Sequence, residues 1–302
     1  MRARVLIVTS VLALLVSACG GAGGPGGGTR PEVIVGSTNF YEQVTLGEIY
    51  AQVLEANGYK VTRKFNLGNR EIVQPALQSG QIDLLAEYLA TLVRFLDKNA
   101  DPTTDKAQAA KVLQGLLEPK GLVVLAPADA TDQNGIVVTK ETADRLKLKK
   151  ISDLAPVAKD LVFGGPPECP QRPFCALGLK DKYGIQFKEF KPLDAGGPLT
   201  VAALEGKQID VALLFTSDPT ITAKGFVLLE DDKRLQLADN IAPVVRKALL
   251  DKDNGDIKKL LDQVSAKLSQ AELGALNKEV AIDKKDSKDV AAAWLKKQGL
   301  IK

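Results

Sequence analysis

Residues Ala76–Asp83 read ALQSGQID, and residues Ala203–Asp210 read ALEGKQID. Five of the eight positions agree: Ala76/Ala203, Leu77/Leu204, Gln81/Gln208, Ile82/Ile209 and Asp83/Asp210. Each copy runs on through four mostly apolar residues, LLAE in the first and VALL in the second, to an aromatic ring, Tyr88 and Phe215. The pattern predicts a helix end, a short turn and a buried strand that finishes in a ring. Ligands of open α/β sheets sit beyond the carboxyl ends of the strands. Two copies therefore predict two lobes, each presenting one ring to a shared cleft.

Working outward, Val33–Gly36 predicts a strand and Phe40–Asn57 a helix stopped by Gly58. Leu46, Ile49, Tyr50, Val53 and Leu54 recur on one apolar face of that helix. Val61–Leu67 reads as a second strand, followed by a helix to Ser79 that Pro75 tightens or interrupts. This β-α-β-α-β start predicts an α/β domain with a mainly parallel sheet. The polar stretch Ala126–Gly135 reads as a crossing, and Ile136–Thr139 opens a second lobe. Asp231–Pro243 reads as the return crossing. The expected division is residues 33–130 plus 238–302 in lobe 1 and residues 131–237 in lobe 2. Two crossings make a hinge, and hinged lobes close over a ligand. The tail Val244–Leu300 reads as helix, with alternating Lys and acidic residues on a solvated face and Trp294 as packing.

The 302 residues suffice for two domains, and an apolar content of 45% with 25% charged residues is that of a soluble globular protein. Histidine is absent, which excludes His-based triads and His metal ligands. The chain has neither a phosphate-cradling GxxxxGK nor a GxSxG nucleophile motif, so nothing points to an enzyme or to a cofactor. At the N-terminus, Arg2 and Arg4 precede the apolar run Val5–Val16, too short to span a bilayer. Val16-Ser17-Ala18-Cys19 resembles a bacterial lipobox, with residues 1–18 as signal peptide and Cys19 as the lipidated residue. Residues 19–32, rich in glycine, read as a flexible tether. Removing residues 1–18 takes away two arginines and lowers the net charge from +3 to about +1, so no basic field argues for nucleic acid. Exported proteins meet an oxidising compartment, so Cys169 and Cys175 are expected to form a disulfide that stiffens a long loop.

Several segments resemble the substrate-binding lipoproteins of osmoprotectant ABC importers for glycine betaine, choline and carnitine. They include GSTNFYEQVTLGEIYAQVLEANGY (Gly36–Tyr59), NLGNREIVQPAL (Asn66–Leu77), IDLLAEYLAT (Ile82–Thr91), KEFKPLDAG (Lys188–Gly196), FTSD (Phe215–Asp218), LLEDDK (Leu228–Lys233) and APVVR (Ala242–Arg246). The resemblance covers nearly all of the mature chain. It implies a hinged, two-lobed, type II periplasmic-binding-protein-like α/β fold with a ligand cleft between the lobes. It further implies a monomer, lipid-anchored on the extracytoplasmic face of the bacterial cell membrane. Such a monomer captures a small molecule for a permease and its ATPase subunit.

The family holds trimethylammonium groups in an aromatic box, because such a cation donates no hydrogen bonds and is held by ring faces. By the resemblance, Tyr88 and Phe215 fall on box positions, whereas Asn134 and Asp239 stand where the family has rings. Two lost cation–π contacts, at roughly 1–2 kcal/mol each, leave room for a second reading. In it the same importer role serves a hydroxylated or aromatic non-cationic ligand, sandwiched by Tyr88 and Phe215 and bonded by Asn134 and Asp239. Tyr41 is a candidate to rebuild the box. Asn39 and Gln43 lie at a helix start, where free N–H groups favour a ligand carboxylate. Thr91 and its echo partner Asp218 each sit three residues beyond a ring and either bond the ligand or cap a helix. A lipid-anchored sensor without transport is a lesser alternative.

Overall fold

The computed structural model describes residues 30–100 and 103–302. The signal peptide, Cys19 and most of the tether lie outside the described residues. The chain begins with β1 (Val33–Gly36), α1 (Tyr41–Ala56), β2 (Val61–Lys64), α2 (Arg70–Ser79) and β3 (Leu84–Tyr88). It continues with α3 (Leu89–Leu96), α4 (Lys106–Leu117) and β4 (Leu122–Val124). After a crossing come β5 (Asn134–Val138), α5 (Lys140–Leu146), β6 (Val162–Gly165), α6 (Ala176–Tyr183), β7 (Glu189–Pro192) and α7 (Pro198–Glu205). Then follow β8 (Val211–Phe215), α8 (Thr220–Ala223) and β9 (Val227–Leu228). The chain crosses back into β10 (Ile241–Arg246) and ends in α9 (Lys247–Leu250), α10 (Asp256–Lys267), α11 (Gln270–Ala281) and α12 (Ser287–Lys297).

The strands form two five-stranded sheets, β2-β1-β3-β10-β4 and β7-β6-β8-β5-β9. They superimpose in order, with β3 and β8, the two strands after QID, at both centres. The echo extends to hydrogen bonds. The Asp83 amide donates to Ile34 O, while the Asp83 carboxylate accepts from the Ile34 amide at 3.0 Å. Asp210 does the same with Val162, accepting at 2.9 Å. Each QID aspartate thus staples its strand to the neighbouring one. In both copies the turn before QID needs one left-handed residue, Gly80 (φ 79°) and Lys207 (φ 55°). Gly36 and Gly164 leave room for Ile82 and Ile209; a Cβ on either glycine would sit 2.5 and 2.6 Å from the isoleucine Cδ1.

Neither sheet is mainly parallel, a departure from expectation. β1 pairs parallel with β2 and β3, but β10 pairs antiparallel with both β3 and β4. The returning chain enters the first sheet from the other lobe, so it runs against β3. The second strand also stops at Lys64, because Asn66 turns left-handed (φ 56°). Pro75 sits inside α2 without interrupting it. The two crossings lie side by side: Asp132 N donates to Asp239 O at 3.1 Å and Ile241 N to Ala130 O at 3.1 Å.

Apolar clusters cover both faces of each sheet. On one face of the first sheet, Leu46, Ile49, Tyr50, Val53 and Leu54 of α1 pack with Trp294 and Leu295 of α12, all essentially buried. The face read from periodicity is therefore the buried one. At about 25 cal/mol per Å² of apolar area, burial of this kind is the main stabilising term of both lobes. Among the described residues no helix is long and apolar enough to cross a membrane.

Candidate functional site

β3 and β8 end at the cleft between the sheets, so their last residues are delivered to it by the strand register. Tyr88 and Phe215 line a cavity of about 120 Å³, several-fold more than the roughly 15 Å³ that one water needs. Phe40, immediately before α1, stacks on Phe215 across the cleft with ring centroids 4.8 Å apart and lies 6.4 Å from Tyr88. Phe95 from α3 and Phe174 from the loop before α6 add two more rings to the lining.

Charge enters the same cavity from three arginines. Arg70, at the start of α2, forms a buried ion pair with Glu87 (2.8 Å), and Gln74 donates to the same carboxylate at 2.7 Å. Arg94 donates to Lys98 O, and its Nε is buried without a partner. Arg172 reaches from the second lobe to Glu71 of the first (2.7 Å) and stands over the Phe95 ring, 5.8 Å from its centroid. Its Nε is also buried without a partner. Burial and the nearby Arg70 charge lower the pKa of Arg172. The acids in the lining are Glu87, Glu168 and Asp132. Burial, reinforced by Glu42, pushes Asp132 well above the usual carboxylate range.

Cys169 and Cys175 are joined in a disulfide. The loop they close carries Arg172, Pro173 and Phe174 and forms one wall of the cavity. Stiffening this loop therefore fixes lining groups as well as the backbone.

Six of the eight ligand residues expected from sequence line the cavity: Tyr88, Phe215, Asn134, Thr91, Asn39 and Gln43. Asn134 faces Phe215 in the β5–β8 register, and its amide donates to Phe174 O at 3.0 Å. Gln43 is buried, with Oε1 unpartnered. Thr91 lines the cavity, but its amide and hydroxyl donate to Asp239 at 2.7 and 2.5 Å. Asp239 is not in the lining; it is buried, and through Thr91 it holds the first turn of α3. Asp218 is not in the lining either and accepts from Thr220 N at 2.8 Å, at the start of α8. Tyr41 points elsewhere than the cavity, and Phe40 takes the position expected of it. The groups that sequence reasoning missed are Phe40, Phe95, Phe174, Glu87 and the three arginines. Phe40 is the extended residue just before α1, so helical spacing does not mark it.

Two similar lobes, joined by a pair of crossings and enclosing a ring- and arginine-lined cleft, define a solute-binding protein. The family described as the substrate binding domain of the ABC-type glycine betaine transport system matches residues 31–297, and the chain belongs to it. A glycine-betaine-binding protein of Pseudomonas aeruginosa is 30% identical over 95% of this chain and 94% of its own. The glycine betaine-binding protein YehZ of Escherichia coli is 30% identical over 89% of this chain and 92% of its own. A crystal structure of a glycine betaine/carnitine/choline ABC transporter component shares 27% identity, with a TM-score of 0.69 over 89% of this chain and 99% of its own. The protein is thus the extracytoplasmic solute-binding component of an ABC osmoprotectant importer, and not an enzyme.

Proposed function

We propose that the cleft takes a small zwitterion of the glycine betaine or carnitine type, with its quaternary ammonium on the ring wall and its carboxylate on Arg172 and Arg94. The observation that carries this reading is the pair of buried, unpartnered guanidinium Nε atoms in a cavity lined by aromatic rings. A buried donor left without an acceptor costs about 1–3 kcal/mol, and a ligand carboxylate removes that cost. The methylated ammonium needs no acceptor and gains from ring faces. Choline has the ammonium without the carboxylate and leaves both donors unmet. The polar pair that favours a hydroxylated ligand is otherwise engaged, Asn134 with Phe174 O and Asp239 with Thr91. Both relatives described above carry glycine betaine in their names.

In this reading the protein acts as a monomer, held to the membrane by lipid on Cys19, and hands its ligand to the permease driven by an ATPase subunit. Arg172→Ala tests the ligand pose. Calorimetric titration is expected to show glycine betaine weakened about tenfold or more beyond choline, the value of one charge-assisted bond, since loss of the inter-lobe pair with Glu71 falls on both ligands alike. Equal losses for both ligands would refute the carboxylate contact.

A further inference from the structure

The carboxylate of Glu42 sits where the ring box, the second lobe and the C-terminal helices meet. It is 2% exposed. One oxygen accepts from the Tyr88 hydroxyl at 2.6 Å. The other accepts from Ser217 Oγ at 2.7 Å and from Asn277 Nδ2 at 2.6 Å. Glu42 and Tyr88 belong to the first lobe, whereas Ser217 follows β8 in the second. The Ser217 amide in turn donates to Asp132 on the crossing at 3.0 Å. Among the described residues no cation pairs with Glu42, and its oxygens are satisfied by these three donors.

We infer that Glu42 is a positioning residue that couples the placement of the Tyr88 ring to closure of the two lobes. The inference rests on the reading that Tyr88 contacts ligand. Opening withdraws Ser217 and leaves a buried carboxylate with one donor fewer, a costly state. The ring bond to Tyr88 and the inter-lobe bond to Ser217 are therefore linked through one group. Ligand on the Tyr88 ring favours the closed arrangement because that arrangement fixes the ring, and by reciprocity closure tightens ligand binding.

The test is stopped-flow dissociation of glycine betaine from the full mature protein. Glu42→Gln keeps shape but loses one acceptor, and Ser217→Ala leaves Glu42 itself intact. Each is expected to speed dissociation about ten- to a hundredfold and to change association by less than about threefold. Tyr88→Phe keeps the ring and is expected to speed dissociation similarly, with little further effect when combined with Glu42→Gln. A lowered melting temperature with unchanged dissociation in Glu42→Gln and Ser217→Ala overturns the proposal, because Glu42 then serves the fold alone. If the wild-type protein does not take glycine betaine, the ligand reading fails separately. The coupling is then decided by a double-mutant cycle of Glu42→Gln and Ser217→Ala in ligand-free unfolding. Non-additive effects support the inter-lobe bond, and additive effects overturn it.

Discussion

Asp239→Asn separates a ligand contact from a structural one. The Asp239 carboxylate is buried, and burial pushes its pKa up from 3.8 to about 6 against the two Thr91 bonds and the Arg70 charge. The folded state thus holds this proton more tightly than the unfolded chain does. Its contribution to stability is fully present below about pH 4 and is lost as pH rises through 6. Two units at about 1.4 kcal/mol each make that loss about 3 kcal/mol. Asparagine removes the titration, keeps a carbonyl for the Thr91 amide and offers an N–H to the Thr91 hydroxyl. Urea unfolding of wild type and variant between pH 4 and 7.5 measures the difference. Glu42, Asp132 and Asp218, whose pKa values burial also raises, titrate in both proteins and largely cancel. The variant is expected to gain on wild type by about 3 kcal/mol across this range, with glycine betaine affinity changed less than about threefold, since Asp239 is outside the cavity lining and bonded to Thr91. A stability difference independent of pH would refute the linkage. A tenfold fall in affinity at unchanged stability would instead return Asp239 to the ligand site.

Two further substitutions probe the scaffold. Lys207 holds the left-handed turn position that Gly80 fills in the other lobe. Lys207→Gly is expected to stabilise by about 1 kcal/mol, the relieved strain less the added chain entropy, and a lower melting temperature would contradict this. A Cβ at Gly178 would stand 1.8 Å from Pro173 O. Gly178→Ala is therefore expected to cost more than about 3 kcal/mol and to displace the loop bearing Arg172; a variant with wild-type unfolding and affinity would show that the loop yields freely.

The fold was legible where its signals were local. A helix end, a left-handed turn and a QID strand lie within a dozen residues, so both copies could be read, and with them the rings at Tyr88 and Phe215. The antiparallel entry of β10 was not legible, since it depends on a partner strand about 155 residues earlier in the chain. Phe40 precedes the helix in extended backbone, so helical periodicity does not distinguish it from Tyr41. Arg172 and Phe174 sit in a proline-flanked loop without periodicity, where only the disulfide was visible. Asp239 was placed in the site by position, but what engages it is Thr91, 148 residues away. The echo also fades past the rings: Thr91 reaches the cleft, whereas Asp218 bonds the Thr220 amide at the start of α8.

In the proposed complex the cleft holds a methylated ammonium on its rings and a carboxylate on its arginines. Calorimetric titration of the purified protein with glycine betaine, carnitine and choline, beside a panel of polyols and phenols, tests it most directly. Glycine betaine or carnitine is expected to bind at least about tenfold more tightly than choline, and Tyr88→Ala to abolish this binding. Tightest binding by a polyol or phenol, with no response to the ammonium compounds, would contradict it.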